Sequence, residues 1–229
     1  MELNDLEKVR LDKAIHMREN GREPYPTRTN VTGNIADAIS SFLKDETVET
    51  QYTLGGRIRA TRPMGKIIFA HIEDGFGRIQ LFFRVNTLGE EGMQQFLDDF
   101  DLGDFIQATG KLFRTRTGEI TLEVAEYKML AKAITPLPAA KDEVVDGEVI
   151  RHATLSDPET RYRQRYADLA VNADVRKVFQ TRAGIVRSMR QFLDDHGFLE
   201  VETPILQPIY GGAAAKPFVT HHNQLKQDL

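Results

Sequence analysis

The sequence predicts an α+β chain of more than one domain, in which a small five-stranded β-barrel lies between helical segments. Apolar residues recur at helical spacing before residue 50 and again beyond Asp157, whereas they alternate with polar residues from Thr53 to Leu130. A proline-containing stretch, Thr135–Ala140, lies between the alternating region and the second helical region. Together these three observations define the predicted class.

Composition excludes several classes of protein. The 229 residues carry 30 basic and 34 acidic side chains and no cysteine, so disulfide frameworks, thiolate nucleophiles and cysteine-based zinc sites are excluded. Apolar runs such as 66–70 are too short to cross a bilayer, and the first residues lack the features of a signal peptide. The histidines show no metal-ligand spacing. We therefore expect no membrane segment, no export and no metal site.

Two helices are predicted in an N-terminal extension, residues 1–50. The first occupies roughly the first twenty residues and ends before Gly21–Pro26, where glycine and proline stop the pattern. The second spans Ile35–Lys44 and follows Asn34, a residue type that caps helix N-termini. The apolar residues Leu3, Leu6, Val9, Leu11, Ile15 and Met17 form the expected packing side of the first helix.

Five strands and one helix are predicted in residues 51–137. Strands one to three end at Thr61, Glu73 and Phe83, with turns at Arg62–Gly65 and Asp74–Gly75; a helix follows over Gly89–Phe100, capped by Thr87, and strands four and five span 104–114 and 119–130. This order is that of an OB-fold barrel, whose strands two and three commonly bind oligonucleotides. Another small β-barrel or an α+β sandwich would have the same elements.

A linker is predicted over 138–158, because the acidic residues from Lys141 to Glu148 show no periodicity. Beyond it, residues 159–229 begin with a short helix opened by Asp157–Pro158 and continue with a long amphipathic helix from about Asp174 to His196. Gly197 ends that helix.

Several side chains on one side of the predicted barrel are suited to single-stranded nucleic acid. Alternation turns Arg57 and Arg59 outward, and the outward side of strands two and three would add Phe69, His71 and Gln80. Guanidinium groups bind phosphates, an aromatic ring stacks on a base, and an amide reads a base edge. From residue types alone, an equally good interpretation places Phe69 in the core and keeps the arginines for solubility.

Charge is distributed unevenly along the chain. Residues 51–137 carry eleven basic and eleven acidic side chains and are neutral, whereas residues 151–190 carry nine basic and four acidic side chains, a net of +5. A neutral barrel argues against indiscriminate nucleic-acid binding. The basic run Arg161–Tyr166 would either contact phosphate, form ion pairs between elements, or lie on a solvated face.

The stretch His196–Leu206, which follows the long helix, resembles motif 1 of the class II aminoacyl-tRNA synthetases. Together with Arg161–Tyr166 before it, Gly211–Asn223 after it and an OB-fold in front, it resembles the lysyl-tRNA synthetases in particular. The aspartyl and asparaginyl enzymes share the architecture but not the Gly-Gly-Ala segment or the His-His-Asn run. The resemblance covers essentially the whole chain.

The resemblance implies roles for individual residues. In the OB domain, Phe69 would stack on an anticodon base, Gln80 would read a base edge, and Arg57 or Arg59 would approach phosphate, with Glu126 as a further base contact. The lysine pocket would include Gly211, Gly212 and Ala213. The homodimer interface built on motif 1 would include Phe179, Phe192, Phe198 and Pro204.

The resemblance also implies an activity. Residues 159–229 would be the start of an antiparallel α/β catalytic domain, and the full-length enzyme would be cytoplasmic and would join lysine to tRNA(Lys) through lysyl-adenylate, with ATP and Mg²⁺. Motifs 2 and 3 would lie after Leu229, so we expect the 229 residues alone to be inactive and to bind neither ATP nor Mg²⁺. The alternatives are a free-standing RNA-binding OB module with a dimerisation segment, or an aspartyl- or asparaginyl-type synthetase.

Overall fold

The structure, a computed structural model, describes residues 3–47, 49–138, 141–145, 148–152, 155–209 and 216–229. It divides into two compact units, residues 1–156 and 157–229. In unit one the elements are α1 (Asp5–Glu19), α2 (Ile35–Lys44), β1 (Gln51–Met64), β2 (Ile67–Glu73), β3 (Arg78–Arg84), α3 (Val85–Asp99), β4 (Phe105–Arg114), β5 (Ile120–Ala131), β6 (Lys141–Val145) and β7 (Glu148–His152). In unit two they are α4 (Pro158–Arg163), α5 (Arg165–Val171), α6 (Ala173–Asp195), β8 (His221–His222) and β9 (Gln227–Asp228).

Five strands close into a barrel in the order β1-β2-β3-β5-β4, which confirms the predicted fold class. The long strand β1 pairs with β4 through its first half and with β2 through its second half. Strand β3 pairs in parallel with β5, and this pairing completes the ring. Closure gives each of these five strands a neighbour on both sides.

Alternation along the strands fills the barrel interior, as the sequence predicts. The fully buried side chains include Leu54 and Ile58 of β1, Ile68 and Ile72 of β2, and Leu81 of β3. Their neighbours in sequence therefore point outward, because successive strand residues face opposite sides of the sheet.

Helix α3 covers the barrel with aromatic side chains. Phe96 packs against Phe83 of β3 with ring centroids 4.4 Å apart and against Phe100 at 5.1 Å. Tyr127 of β5 meets these rings edge-on and donates a hydrogen bond to the carbonyl oxygen of Gly92 at 2.5 Å. Burial raises the pKa of Tyr127 to about 12, so the hydroxyl stays protonated at neutral pH.

The start of α3 differs from the prediction. The helix begins at Val85 rather than at Gly89, and Gly89, with φ of 72°, interrupts it. Thr87 accepts a hydrogen bond from Arg84 instead of capping a helix. Glycine adopts this backbone conformation at little cost, so the kink is possible at this position.

Helix α1 begins at a capping box, in which Asn4 and Glu7 bond each other's backbone N–H groups. Its buried residues are Arg10, Ala14 and Met17, whereas the predicted packing residues other than Met17 are exposed. The Arg10 guanidinium donates to the carbonyl oxygen of Ala133 at 2.9 Å. The helix is therefore held by the polar contact of Arg10 together with the apolar packing of Ala14 and Met17.

A buried ion-pair network lies beside α1, at the ends of α3 and β5. Lys132 is fully buried and contacts the carboxylates of Asp104 at 2.6 Å and Asp101 at 2.5 Å. Asp101 also pairs with Lys13 of α1, and Arg22 pairs with Asp99. Burial raises the pKa of Asp99, and the charge of Arg22 offsets part of this effect.

A two-stranded antiparallel sheet, β6 and β7, lies within residues 138–158, the stretch predicted as a linker. The strands are five residues each. Acidic residues alternate poorly with apolar ones here, so the hairpin has no period-two signal in the sequence.

In unit two, short helices α4 and α5 are held together around Asp168. This fully buried carboxylate accepts from Arg161 at 3.0 Å, Arg165 at 2.5 Å and Asn172 at 2.7 Å. Burial alone would raise the pKa of Asp168, but the hydrogen bonds and the two guanidinium charges outweigh it and hold the pKa below its usual range. The interpretation of the run Arg161–Tyr166 as ion pairs between elements is therefore correct for Arg161, whereas Arg163 and Arg165 pair with Glu159 and Asp168 of their own helices.

The residues that directly follow Gly197 form no regular secondary structure. Residues 198–209 are neither helix nor strand, since no described residue pairs with them and a strand requires a hydrogen-bonded neighbour. Within the described ranges, no helix is long and apolar enough to cross a membrane.

Candidate nucleic-acid interface

The candidate site is the outer face of β1, β2 and β3, meaning the side chains that these strands direct away from the barrel interior. Strand register places Phe69 opposite Phe82 and His71 opposite Gln80. Ile68 and Ala70, the neighbours of Phe69, are buried. Phe69 therefore lies outside the core, and the core interpretation of this residue is wrong.

Aromatic rings form a row across this side of the barrel. Phe69 and Phe82 have ring centroids 5.1 Å apart, and Phe82 meets Phe113 of β4 edge-on at 5.8 Å. All three rings are half-buried. Rings that support one another in this way form a rigid platform, and a planar base can stack on such a platform with little loss of side-chain entropy.

Beside the aromatic row, one carboxylate holds two polar side chains. Glu119 accepts from the amide nitrogen of Gln80 at 2.9 Å and contacts Nε2 of His71 at 3.0 Å. The amide oxygen of Gln80 accepts from the hydroxyl of Thr121 at 2.9 Å. An ionised carboxylate can only accept, so it fixes which end of the Gln80 amide carries the nitrogen. Gln80 keeps one N–H and one oxygen lone pair for a ligand.

Glu119 was not predicted from the sequence. It precedes β5 in a turn, and nothing in the sequence shows that β5 runs parallel to β3 and brings its start beside Gln80. The predicted contact Glu126 lies elsewhere: it is exposed on β5 opposite Thr109 of β4, five residues beyond Thr121. The structure therefore does not bring Glu126 together with Phe69 and Gln80.

The two arginines predicted on strand one are engaged with the protein. Arg57 donates to the carbonyl oxygen of Gly103 at 3.0 Å and lies 4.2 Å from the ring centre of Phe105. Burial lowers the pKa of Arg57, and the neighbouring charge of Arg59 adds to this, although a guanidinium stays charged at neutral pH. Arg59 pairs with Glu73 at 3.2 Å.

A bulge in β1 brings a different arginine into the site. The register with β2 shifts between Ile58 and Ala60, so that Ala60 lies opposite His71 and Arg62 opposite Phe69. The sequence predicts a turn at Arg62–Gly65, but β1 continues to Met64. Pro63 is tolerated there because this half of β1 pairs with β2 alone.

Cations dominate this side of the barrel once ion pairs are considered. Glu73 pairs with Arg59, Glu119 with His71, and Glu123 with Arg84. In contrast, four cations on β1, β3 and the turns after β1 and β4 form no ion pair with any described residue: Arg62, Lys66, Arg78 and Arg116. A neutral domain thus presents a locally positive surface, which is the charge that a phosphate backbone requires.

The other predicted site residues lie in unit two. Gly211, Gly212 and Ala213 fall outside the described residues. Phe179, Phe192 and Phe198 are exposed by 40%, 59% and 65%, and Pro204 is exposed as well. Phe179 and Phe192 lie on α6, whose exposed apolar side chains also include Val178, Ile185, Val186, Met189 and Leu193.

Comparison with known proteins agrees with the division of the chain into units 1–156 and 157–229. Residues 52–136 match a family model described as an OB-fold nucleic acid binding domain, and residues 157–229 match one described as class II tRNA synthetases (D, K and N). The chain is 50% identical over 230 residues to a lysine–tRNA ligase of Roseiflexus castenholzii, and 49% identical to one of Chloroflexus aurantiacus. A lysine–tRNA ligase of Clostridium novyi is 42% identical over 232 residues.

These alignments cover 100% of this chain but 42–45% of each relative, so the chain spans less than half the length of the proteins that it matches. The aligned region therefore includes both the barrel and the helices of unit two. The chain is therefore a homologue, over its whole length, of the class II lysyl-tRNA synthetases, as its sequence predicts.

Proposed function

We propose that residues 51–137 bind the anticodon of tRNA(Lys) through the outer face. The observation that carries this proposal is the arrangement on β2 and β3, where an aromatic platform adjoins a glutamine amide fixed by Glu119. Stacking on such a platform tolerates any base, whereas a fixed donor and acceptor distinguish one base edge from another. The aromatic platform therefore supplies affinity for RNA, and the glutamine amide supplies selection among bases.

Each element of the face has a defined role in this proposal. Phe69 stacks on one anticodon base, and Gln80 and His71 contact a base edge. Arg62, Lys66, Arg78 and Arg116 are the phosphate contacts, because they form no ion pair with any residue that the structure describes. Arg57, held by Gly103 and Phe105, supports the strand from which the arginines project.

For the whole protein, we propose ATP-dependent attachment of lysine to tRNA(Lys) in the cytoplasm, as the names of the relatives indicate. ATP would supply the adenylyl group: the lysine carboxylate would bond to the α-phosphorus and pyrophosphate would leave, and Mg²⁺ would balance the phosphate charge. Among the described residues, no group of three histidine or acidic side chains could hold a metal ion. Residues 211–213 are proposed to line the lysine pocket.

The apolar side of α6 is the proposed homodimer interface. Ile185, Met189 and Phe192 lie on one side of the helix and are exposed by 56%, 61% and 59%. Exposed apolar side chains in a continuous stripe mark protein interfaces more often than free surface. Gln180 lies on the opposite side of the same helix, which offers a matched control.

Anticodon binding is tested by fluorescence anisotropy with labelled stem-loops that carry lysine, aspartate or asparagine anticodons. We expect the 229-residue chain to prefer the lysine stem-loop. We expect Phe69→Ala to weaken binding of that stem-loop by about 1–3 kcal/mol, the usual contribution of one stacked base. Phe198→Ala, in the other unit, is the control and should leave the affinity unchanged.

A further inference from the structure

The turn between β2 and β3, residues 74–77, presents an aromatic ring that the proposed function does not use. Phe76 is exposed by 73%, and among the described residues of unit one the only other exposed aromatic side chain is Tyr25, at 41%. A ring this open contributes little to the fold. Its exposure is therefore unexplained by packing.

Hydrogen bonds hold the backbone of this turn in place. One carboxylate oxygen of Asp74 accepts from the N–H groups of Phe76 and Gly77, each at 2.7 Å, and the Asp74 N–H donates to the Gly77 carbonyl at 3.0 Å. The other carboxylate oxygen accepts from Ile35 N–H at 2.8 Å, at the start of α2. The ring is thus carried by a rigid support, which lowers the entropy lost on binding a ligand.

The turn borders the outer face at its Gln80 end. Glu73 and Arg78 are the last register pair before the turn, and His71 and Gln80 are the pair two residues earlier. Phe76 precedes Gln80 by four residues, which at the spacing of an extended strand is at most about 13 Å. Between them lies Arg78, which is exposed and forms no ion pair with any described residue.

We propose that Phe76 is a second stacking site for a base of the same RNA strand, with Arg78 at the adjoining phosphate. The inference rests on the proposed function, because it extends the strand that crosses Phe69 and Gln80. OB-folds contact about 4 to 16 nucleotides of a single strand. Phe69 and Gln80 alone account for fewer nucleotides than this. Phe76 lies where the next part of the RNA strand would leave the outer face.

The absence of tryptophan from the chain permits a direct test. Phe76→Trp introduces a single indole at the proposed contact, and Leu97→Trp introduces one at a position of α3 that is exposed by 41%. Each variant is titrated with the lysine-anticodon stem-loop while anisotropy of the labelled RNA reports binding. We expect strong quenching of the Phe76→Trp emission, since indole stacks on bases, and little change for Leu97→Trp.

Affinity gives a second readout. Phe76→Ala should weaken binding about fivefold or more, the lower end of the range for one lost stack, and Phe76→Leu should weaken it similarly because it lacks a π-face. If the RNA binds Phe76→Trp with normal affinity and the emission does not change, this inference is wrong and the anticodon site stands. If the unsubstituted chain binds no stem-loop, the proposed function fails and this inference fails with it.

Discussion

We expect Glu119 to determine how the proposed site distinguishes bases, because its carboxylate accepts a hydrogen bond from the Gln80 amide. Glu119→Gln replaces an obligate acceptor with a group that can donate or accept, so the Gln80 amide is free to turn over. We expect discrimination between the lysine stem-loop and one with a single changed anticodon base to fall by about 1 kcal/mol, the net contribution of a typical hydrogen bond. Binding of both stem-loops is measured by anisotropy.

Glu123→Gln is the matched control for this prediction. Glu123 lies on β5, four residues after Glu119, but its partner is Arg84 rather than Gln80. Loss of one acidic charge is common to both variants, so a general charge effect would appear equally in both. Unchanged discrimination in Glu119→Gln would show that the carboxylate does not orient the amide in the complex.

Lys132 is a second residue whose substitution we expect to have a large effect, in this case on the stability of the fold. Lys132→Met would leave the carboxylate of Asp104 buried without its cation, and the loss of one partner from a buried pair costs about 3–5 kcal/mol. Lys111→Met removes an exposed ion pair between β4 and Glu49 and should cost less than about 1 kcal/mol. Urea unfolding followed by circular dichroism measures both, and equal losses of stability would contradict this prediction.

At the scale of elements, the β4–β5 pairing depends on Gly110. A Cβ atom at this position would lie 1.8 Å from the carbonyl oxygen of Glu123, and the register of the two strands shifts between Thr109 and Gly110. We expect Gly110→Ala to destabilise the barrel by about 3 kcal/mol, because backbone must move to admit the methyl group.

Gly184→Ala provides the opposite case within the same chain. Gly184 lies in α6, and among the described residues no neighbouring atom comes within 4 Å of the position that an alanine Cβ would take there. Alanine should stabilise this helix by about 0.5–1 kcal/mol. Thermal unfolding of both variants distinguishes the two effects, and a tolerated Gly110→Ala would show that the barrel is not closed at this point.

The alternating pattern was sufficient to predict the five strands of the barrel and the side of each that faces water, but not the full length of β1 or the hairpin β6–β7. It placed Phe69, His71 and Gln80 on one surface, where the structure has them. Residue types alone left the position of Phe69 open. The burial of Ile68 and Ala70 on either side of it settles that question.

The remaining features of the site could not be predicted from local pattern. A bulge at Arg59 carries no sequence signal, yet it places Arg62 rather than Thr61 opposite Phe69. Glu119 reaches Gln80 only because β3 and β5, distant in sequence, pair in parallel. Bulges and long-range pairings are set by tertiary packing, so they cannot be predicted from one segment of the sequence at a time.

At the scale of the whole molecule, we expect α6 to mediate self-association. Phe192→Glu places a charge in the exposed apolar stripe and should convert a dimer of the 229-residue chain to monomer, because burial of an unpaired charge is costly. Gln180→Glu adds the same charge on the opposite side of the helix and should leave the dimer intact. Sedimentation velocity measures both, and identical profiles for Phe192→Glu and the unsubstituted chain would exclude this interface.

Recognition of the lysine anticodon by the outer face is the proposal on which the others depend, and the affinity of the chain for anticodon stem-loops decides it. We expect preference for the lysine stem-loop over those of aspartate and asparagine, and a loss of about 1–3 kcal/mol on Phe69→Ala. Equal affinity for all three stem-loops, or unchanged binding by Phe69→Ala, would show that the outer face does not read the anticodon.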